Sequence, residues 1–262
     1  MIGLGTLINV VAILVGATLG VLVGNRLPER TSRVVTDSLG LVVLVIGAMN
    51  IMSLSDVDFV EAVGPGVGLL VVVGALVIGG VAGSLLDIEG RLEKFGTWLQ
   101  GLSGRSPSAK TKNVHRSPDG EGKKNRFVEG FVDASLIYCV GPMAILGALS
   151  DGTGNGIETL ALKASLDGVS AIAFAAALGW GVAASALPVG IWQGLLTILA
   201  VVLGTFMSSA VIASITATGG ILMLGIGLRV LNIRQVNVGN LLPALVVAPL
   251  ITLTIAAIRG VG

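Results

Sequence analysis

The chain has 262 residues, 53% of them hydrophobic and 12% charged, where a soluble domain carries about 25% charged residues. That composition, with a mean hydropathy of +0.95, excludes a lone soluble enzyme and a nucleic-acid-binding protein. The formal net charge of +1 calls for no polyanionic partner.

Hydropathy predicts eight membrane spans, at about 3–24, 34–54, 67–87, 127–149, 164–186, 189–208, 210–228 and 240–258. They must be helices, because in hydrocarbon a segment has to satisfy its own backbone hydrogen bonds, and the continuous apolar runs lack the alternation of barrel strands. The first run, Met1–Val23, has no charged residue ahead of it and no early cleavage-like site, so it reads as a retained span rather than a signal peptide. It carries Gly16, Gly20 and Gly24 at four-residue spacing. Gly79 and Gly83 in the third span and Gly190 and Gly194 in the sixth make similar small-residue faces, which let helix backbones approach closely. In the second span, Gly40 to Gly47 echoes Gly220 to Gly227 of the seventh, with Gly40/Gly220, Leu44/Leu224, Ile46/Ile226 and Gly47/Gly227 identical. The two spans run in opposite directions, so the echo predicts an inverted repeat.

After the third span, Leu85, Leu86, Ile88, Leu92, Phe95, Trp98, Leu99 and Leu102 recur at helical spacing among charged residues, the pattern of an interfacial amphipathic helix. Residues 103–126 are polar, basic and rich in Ser, Gly and Pro, and read as a disordered cytoplasmic linker. The chain therefore divides into a three-span unit (1–102), the linker, and a four- or five-span unit (127–262). The loops 25–33, 88–126 and 229–239 hold fourteen of the sixteen Lys and Arg residues, which places them on the cytoplasmic side of the membrane. Residues 164–228 contain one charged side chain, Asp167, and their loops give the charge rule nothing to read, so seven spans remain an alternative.

An ionisable residue within a span costs several kcal/mol and marks a functional site by default. Asp133, near Ser135, lies about two turns into the fourth span, and Asp167, near Ser165 and Ser170, about one turn into the fifth. Gly141-Pro142 can break the fourth span; Asn240, Pro243 and Pro249 mark the eighth as kinked or discontinuous. Carboxylate, hydroxyls and freed carbonyls suit a monovalent cation such as Na⁺, and a desolvated Asp could instead exchange a proton. Against this stand structural readings, in which Asp167 caps its helix just after Lys163 and Asp133 pairs with Arg126 or with a neighbouring helix. Asn9, Asn50, Gln193 and several threonines are expected as interhelical hydrogen bonds. Cys139 and His115 each stand without a catalytic companion, and no phosphate loop, metal motif or nucleophile elbow occurs, so no enzyme activity or cofactor is expected.

Several stretches taken together, Arg26-Leu27-Pro28-Glu29-Arg30, Tyr138 to Ile145, Lys163 to Gly168, Ala217-Thr218-Gly219-Gly220 and Asn240 to Leu245, resemble the bacterial YdfK/YqgA-type membrane proteins, the domain-of-unknown-function family 554. The resemblance covers nearly the whole chain and implies a polytopic inner-membrane protein of about this length, without implying an activity. Its Lys-x-x-Leu-Asp-Gly pattern falls on Lys163, Leu166, Asp167 and Gly168. Relatives place Thr or another uncharged residue where this chain has Asp133, which favours Asp167. The sequence thus reads as an all-α bundle of seven or eight spans and as a secondary transporter or permease for a small solute or ion. The alternative is a non-transporting scaffold or regulator working through the linker. The expected partners are the lipid bilayer and a small solute or monovalent ion, with no nucleic acid; a homo-oligomer stays open.

Overall fold

A computed structural model describes residues 2–24, 28–102, 118–140, 142–154, 156–203 and 208–260, and among these the secondary structure is helical. In chain order come α1 (Leu4–Gly24), α2 (Glu29–Ile51), a 3-10 turn (Met52–Ser55), α3 (Val57–Val63), α4 (Val67–Leu85), α5 (Ile88–Leu102), α6 (Pro118–Val140), α7 (Pro142–Gly152) and α8 (Glu158–Leu178). They are followed by α9 (Gly181–Ala184), α10 (Ala186–Leu203), α11 (Ser209–Val230), a 3-10 turn (Val238–Leu241) and α12 (Ala244–Arg259). Among the described residues seven helices are long and apolar enough to cross a membrane, α9 and α10 counting as one. The pair α6–α7, bent by 59°, makes an eighth if it is one span.

Most expected boundaries lie within a few residues of these helices, but the sixth span, expected at 189–208, runs from Gly181 to Val201, and the fifth span and α6 are displaced as well. The fifth span starts at Glu158 and ends at Leu178, because Gly179 adopts φ +81° and stops the helix there. Helix α6 begins at Pro118, inside the segment expected as linker, and Pro is favoured at the first helical position. The first part of the linker, 103–117, lies outside the described residues. The expected amphipathic helix is α5, with Phe95 against Phe131 (ring centroids 5.9 Å apart) and Trp98 exposed.

The core is the inverse of the lipid surface. Along α1, Asn9, Ile13, Gly16, Ala17 and Gly20 are buried while Leu7, Val11, Leu14, Val15 and Leu22 are exposed, the 3.6-residue alternation of a helix with one face on protein and one on lipid. Helix α11 sits at the centre, with most of its residues buried. The glycine faces set the contacts. A Cβ on Gly16 or Gly24 would overlap the backbone of Gly168 or Ala176, so α1 and α8 run side by side in the same direction. Gly79 meets Ala244 and Gly83 meets Asn240, so α4 and α12 run antiparallel; Gly194, by contrast, has nothing within 4 Å of its would-be Cβ.

The sequence echo between the second and seventh spans is a physical contact. A Cβ on Gly47 would stand 2.8 Å from the Gly220 carbonyl oxygen and 3.1 Å from Leu224, and one on Gly227 would stand 3.2 Å from the Gly40 oxygen and 2.6 Å from Leu44. In the register that aligns Gly40 with Gly220 and Gly47 with Gly227, each pair is the other's image. Gly40 on Leu231 likewise mirrors Gly220 on Ile51. Helices α2 and α11 therefore cross about a local two-fold axis. The first and third spans also face the sixth and eighth antiparallel, through Val10 on Gly190 and Gly79 on Ala244. This is the packing of an inverted repeat, with α6–α7 and α8 lying between the two triplets.

Crowding at the axis predicts that Gly47→Ala lowers stability by about 1–3 kcal/mol through overpacking, whereas Gly194→Ala is near neutral. Thermal unfolding of the two variants in detergent checks the contrast.

Candidate functional site

Among the described residues, the two aspartates expected as functional belong to different buried polar clusters. Asp167 is the tenth of the 21 residues of α8, close to the middle of its span rather than one turn from the end. Lys163, one turn earlier on the same face, forms an ion pair with Asp167 Oδ2, and both are buried. Its expected place in a loop is thus corrected, and Asp167 is not a helix cap. Asn9 of α1 reaches across to donate from Nδ2 to Asp167 Oδ2 (3.0 Å) and to Gln193 Oε1 of α10 (3.1 Å). Asn9 and Gln193 are both 0% exposed. Tyr138, two residues before the end of α6, closes the side nearest the bend. Its ring centroid is 5.9 Å from Lys163 Nζ, and its hydroxyl accepts from Ser170 Oγ at 3.3 Å.

Four elements, α1, α6, α8 and α10, thus converge on one ammonium and one carboxylate. Two atoms in the cluster are left over: Asn9 Oδ1, an acceptor, and Gln193 Nε2, a donor, are buried without a hydrogen-bond partner. Buried polar groups without partners cost about 1–3 kcal/mol each, so their presence at one place is a functional signal. The Lys163 ammonium also occupies the side of Asp167 that a bound cation would need, which weakens a Na⁺-ligand role for this carboxylate.

The second cluster joins α5, α6 and α11. Arg229, in the last turn of α11, is ion-paired to Glu89 Oε1 of α5, and its Nε lies 2.9 Å from Asp133 Oδ1 of α6. The Nε–H is not aligned as a hydrogen bond, so the ion pair is Asp133's contact and its two oxygens accept none. Glu89 Oε2 accepts from the Gly239 N–H (2.6 Å), and Asn240 Oδ1 accepts from the Glu89 N–H (2.9 Å). Arg229, expected in a cytoplasmic loop, is instead buried, and it rather than Arg126 is the partner of Asp133. Asn240 ties the start of α5 to the turn before α12, which makes its role here structural.

The remaining expected positions separate by orientation. Ser165 is exposed and its hydroxyl donates to the Ala161 carbonyl (3.1 Å), so it points away from Asp167. Ser135 is buried but donates to the Phe131 carbonyl (2.5 Å) within its own helix. Ser170 reaches both Tyr138 and the Asp167 carbonyl (3.0 Å) and is part of the first cluster. Pro142 opens α7 at the bend, Gly141 lies outside the described residues, and Pro243 caps α12. Sequence reasoning missed Lys163, Tyr138, Glu89 and Arg229 as cluster members. The signal for Lys163 was its four-residue spacing to Asp167; for Glu89 and Arg229, distant in sequence, no local signal exists.

The family described as "Protein of unknown function (DUF554)" matches residues 4–253. Among similar curated proteins, "Uncharacterized membrane protein YdfK" of Bacillus subtilis (strain 168) is 28% identical over 254 residues, 97% of each chain. "Uncharacterized protein YqgA" of Escherichia coli (strain K12) is 29% identical over 245 residues, 94% of each chain. No solved structure matches the chain.

Removing one partner of a buried ion pair costs about 3–5 kcal/mol, because a charge is left without compensation. Arg229→Met, which strands two carboxylates, is expected to destabilise by at least that much. Asp133→Asn should be milder, since Glu89 remains with Arg229, and Arg229→Met/Glu89→Gln/Asp133→Asn should recover most of the loss. The apparent melting temperatures in detergent measure the series.

Proposed function

This chain belongs to the DUF554 family of membrane proteins, and on that premise we propose that it is a secondary transporter or permease that carries a small solute past the Lys163–Asp167 cluster. The observation that carries the reading is this buried ion pair, with the unpartnered Asn9 Oδ1 and Gln193 Nε2, at the contact between the first and sixth spans. Transporters built from inverted repeats hold their substrates near mid-membrane at the repeat interface, next to discontinuous helices. All three features coincide here, because Asp167 is midway along α8, Asn9 and Gln193 join the two triplets, and Tyr138 precedes the 59° bend of α6–α7.

The Glu89–Arg229–Asp133 cluster lies at the other end of the bundle from the α1 N-terminus. There it fastens α5, α6 and α11 together, and we assign it the part of a closure that must loosen when the site opens to that side. The basic loops support a cytoplasmic position for this end, and the bacterial membrane relative supports a bacterial plasma membrane. Without a nucleotide-binding motif, transport is driven by a gradient, and no catalytic step is assigned to the chain.

A ligand that binds the folded protein raises its stability by RT ln(1 + [L]/Kd), about 2.7 kcal/mol at a hundredfold excess over Kd. Screening the purified protein in detergent against monovalent ions, amino acids and organic acids should find a compound that raises the melting temperature of the wild type but not of Asp167→Asn. Ser165→Ala, on the outer face of α8, should respond as the wild type does. A flat screen on folded protein would favour a non-transporting scaffold.

A further inference from the structure

We infer that the ligand of this site is a small zwitterion, an α-amino acid of the size of glycine, alanine or serine. On this view Lys163 and Asp167 each exchange the other for the opposite charge of the ligand. The inference rests on the transport reading above and adds the substrate class to it.

Charge balance is the first argument. The groups placed against the pair are neutral, Asn9 from α1, Tyr138 from α6 and Ser170 from α8, with Gln193 of α10 behind Asn9, and the buried carboxylate near Gly5, Asp151, is taken up by the Gly3 and Gly5 N–H groups. The site therefore holds one positive and one negative charge. A ligand of either net sign would leave an uncompensated charge in the membrane interior, at a cost of several kcal/mol. A ligand carrying both signs leaves none, since its carboxylate takes Lys163 and its ammonium takes Asp167 as the pair opens.

The unpartnered amide atoms give the second argument. Asn9 Nδ2 must face the Asp167 carboxylate, because a carbonyl there would meet another acceptor; this leaves Oδ1 as an open acceptor. Gln193 Oε1 is held by the same Nδ2, which leaves Nε2 as an open donor. An open acceptor matches an ammonium and an open donor matches a carboxylate, so each end of a zwitterion finds one charge and one amide. Inserting it would satisfy both of these buried, unpartnered atoms.

Size is the third argument. Helices α1 and α8 approach to backbone contact at Gly16 and Gly168, and a Cβ on Gly5 would stand 2.6 Å from Leu160, so the two helices are close-packed on both sides of the pair, which favours a compact ligand.

The test uses the full chain in liposomes. Vesicles preloaded with unlabelled glycine, L-alanine or L-serine are given the labelled compound, with lactate and ethylammonium assayed in parallel as the two halves of the zwitterion. Counterflow at least tenfold above protein-free vesicles is expected for one or more of the amino acids. It should be lost in Lys163→Met and Asp167→Asn, and lactate or ethylammonium should not compete. Asn9→Ala and Gln193→Met keep the ion pair, and each should raise the half-saturating concentration about tenfold or more. Asp167-dependent movement of lactate or of ethylammonium instead would overturn the zwitterion and keep the transporter. Movement of no solute by protein that unfolds cooperatively would overturn both.

Discussion

A charge inside a membrane needs an opposite charge or a set of aligned dipoles beside it, and the interior of this protein is arranged around that requirement. Lys163 and Asp167 neutralise each other, and Arg229 neutralises Glu89 and Asp133. Asp151, also buried, accepts from the Gly3 and Gly5 N–H groups (3.1 and 3.2 Å) at the start of α1, where unpaired donors and the helix dipole favour an anion. Each arrangement joins helices that are distant in sequence: α1 to α7, α1 to α8 and α10, and α5 to α6 and α11. The polar groups therefore fix which helices are neighbours, and the glycines fix how close they come.

These two levels act together at the repeat interface. The glycine faces bring α2 against α11 and α4 against α12 closely enough for backbone to touch backbone, which gives the two triplets a rigid, self-complementary seam. The contact between α1 and α10 is different in kind, since Asn9 donates to Gln193 there and Gly190 meets only the Val10 side chain, where the other two pairs bring glycine against backbone. A polar contact can be exchanged for contact with a ligand at little net cost, whereas a packed glycine seam cannot. The proposed transport cycle would open this α1–α10 contact, which adjoins the Lys163–Asp167 pair of α8.

The parts of this arrangement differ in how far they could be read from sequence. Helix number and placement followed from apolar length, and the two-fold seam followed from four identities between the second and seventh spans, because both are properties of contiguous segments. The glycine spacing in α1 announced its close contact, although Gly194 shows that such spacing does not guarantee one. Asp167 stood out as an isolated charge, but its depth was misjudged because Lys163 was taken as the end of the span; two charges that cancel can both lie inside. The network of Glu89, Asp133 and Arg229 joins residues up to 140 positions apart and could not be inferred without the fold. Ser165 and Ser135 failed as site residues for a local reason, since serine in a helix readily returns its hydroxyl to the carbonyl four residues back.

The central claim is that the Lys163–Asp167 cluster is reached from water as part of a transport cycle, rather than serving only to tie helices together. The chain has one cysteine, Cys139, so a single reporter can be placed by replacing it with Ser and changing Ser170, whose hydroxyl bonds to Tyr138, to Cys. The most direct measurement is the rate at which a membrane-impermeant thiol reagent modifies this reporter in sealed vesicles. The account predicts slow modification that rises when the Glu89–Arg229–Asp133 closure is weakened by Glu89→Gln and falls when the site's ligand is present at saturation. A reporter that stays unmodified from both sides, with and without the Glu89 substitution, would contradict it and make the cluster a purely structural tie.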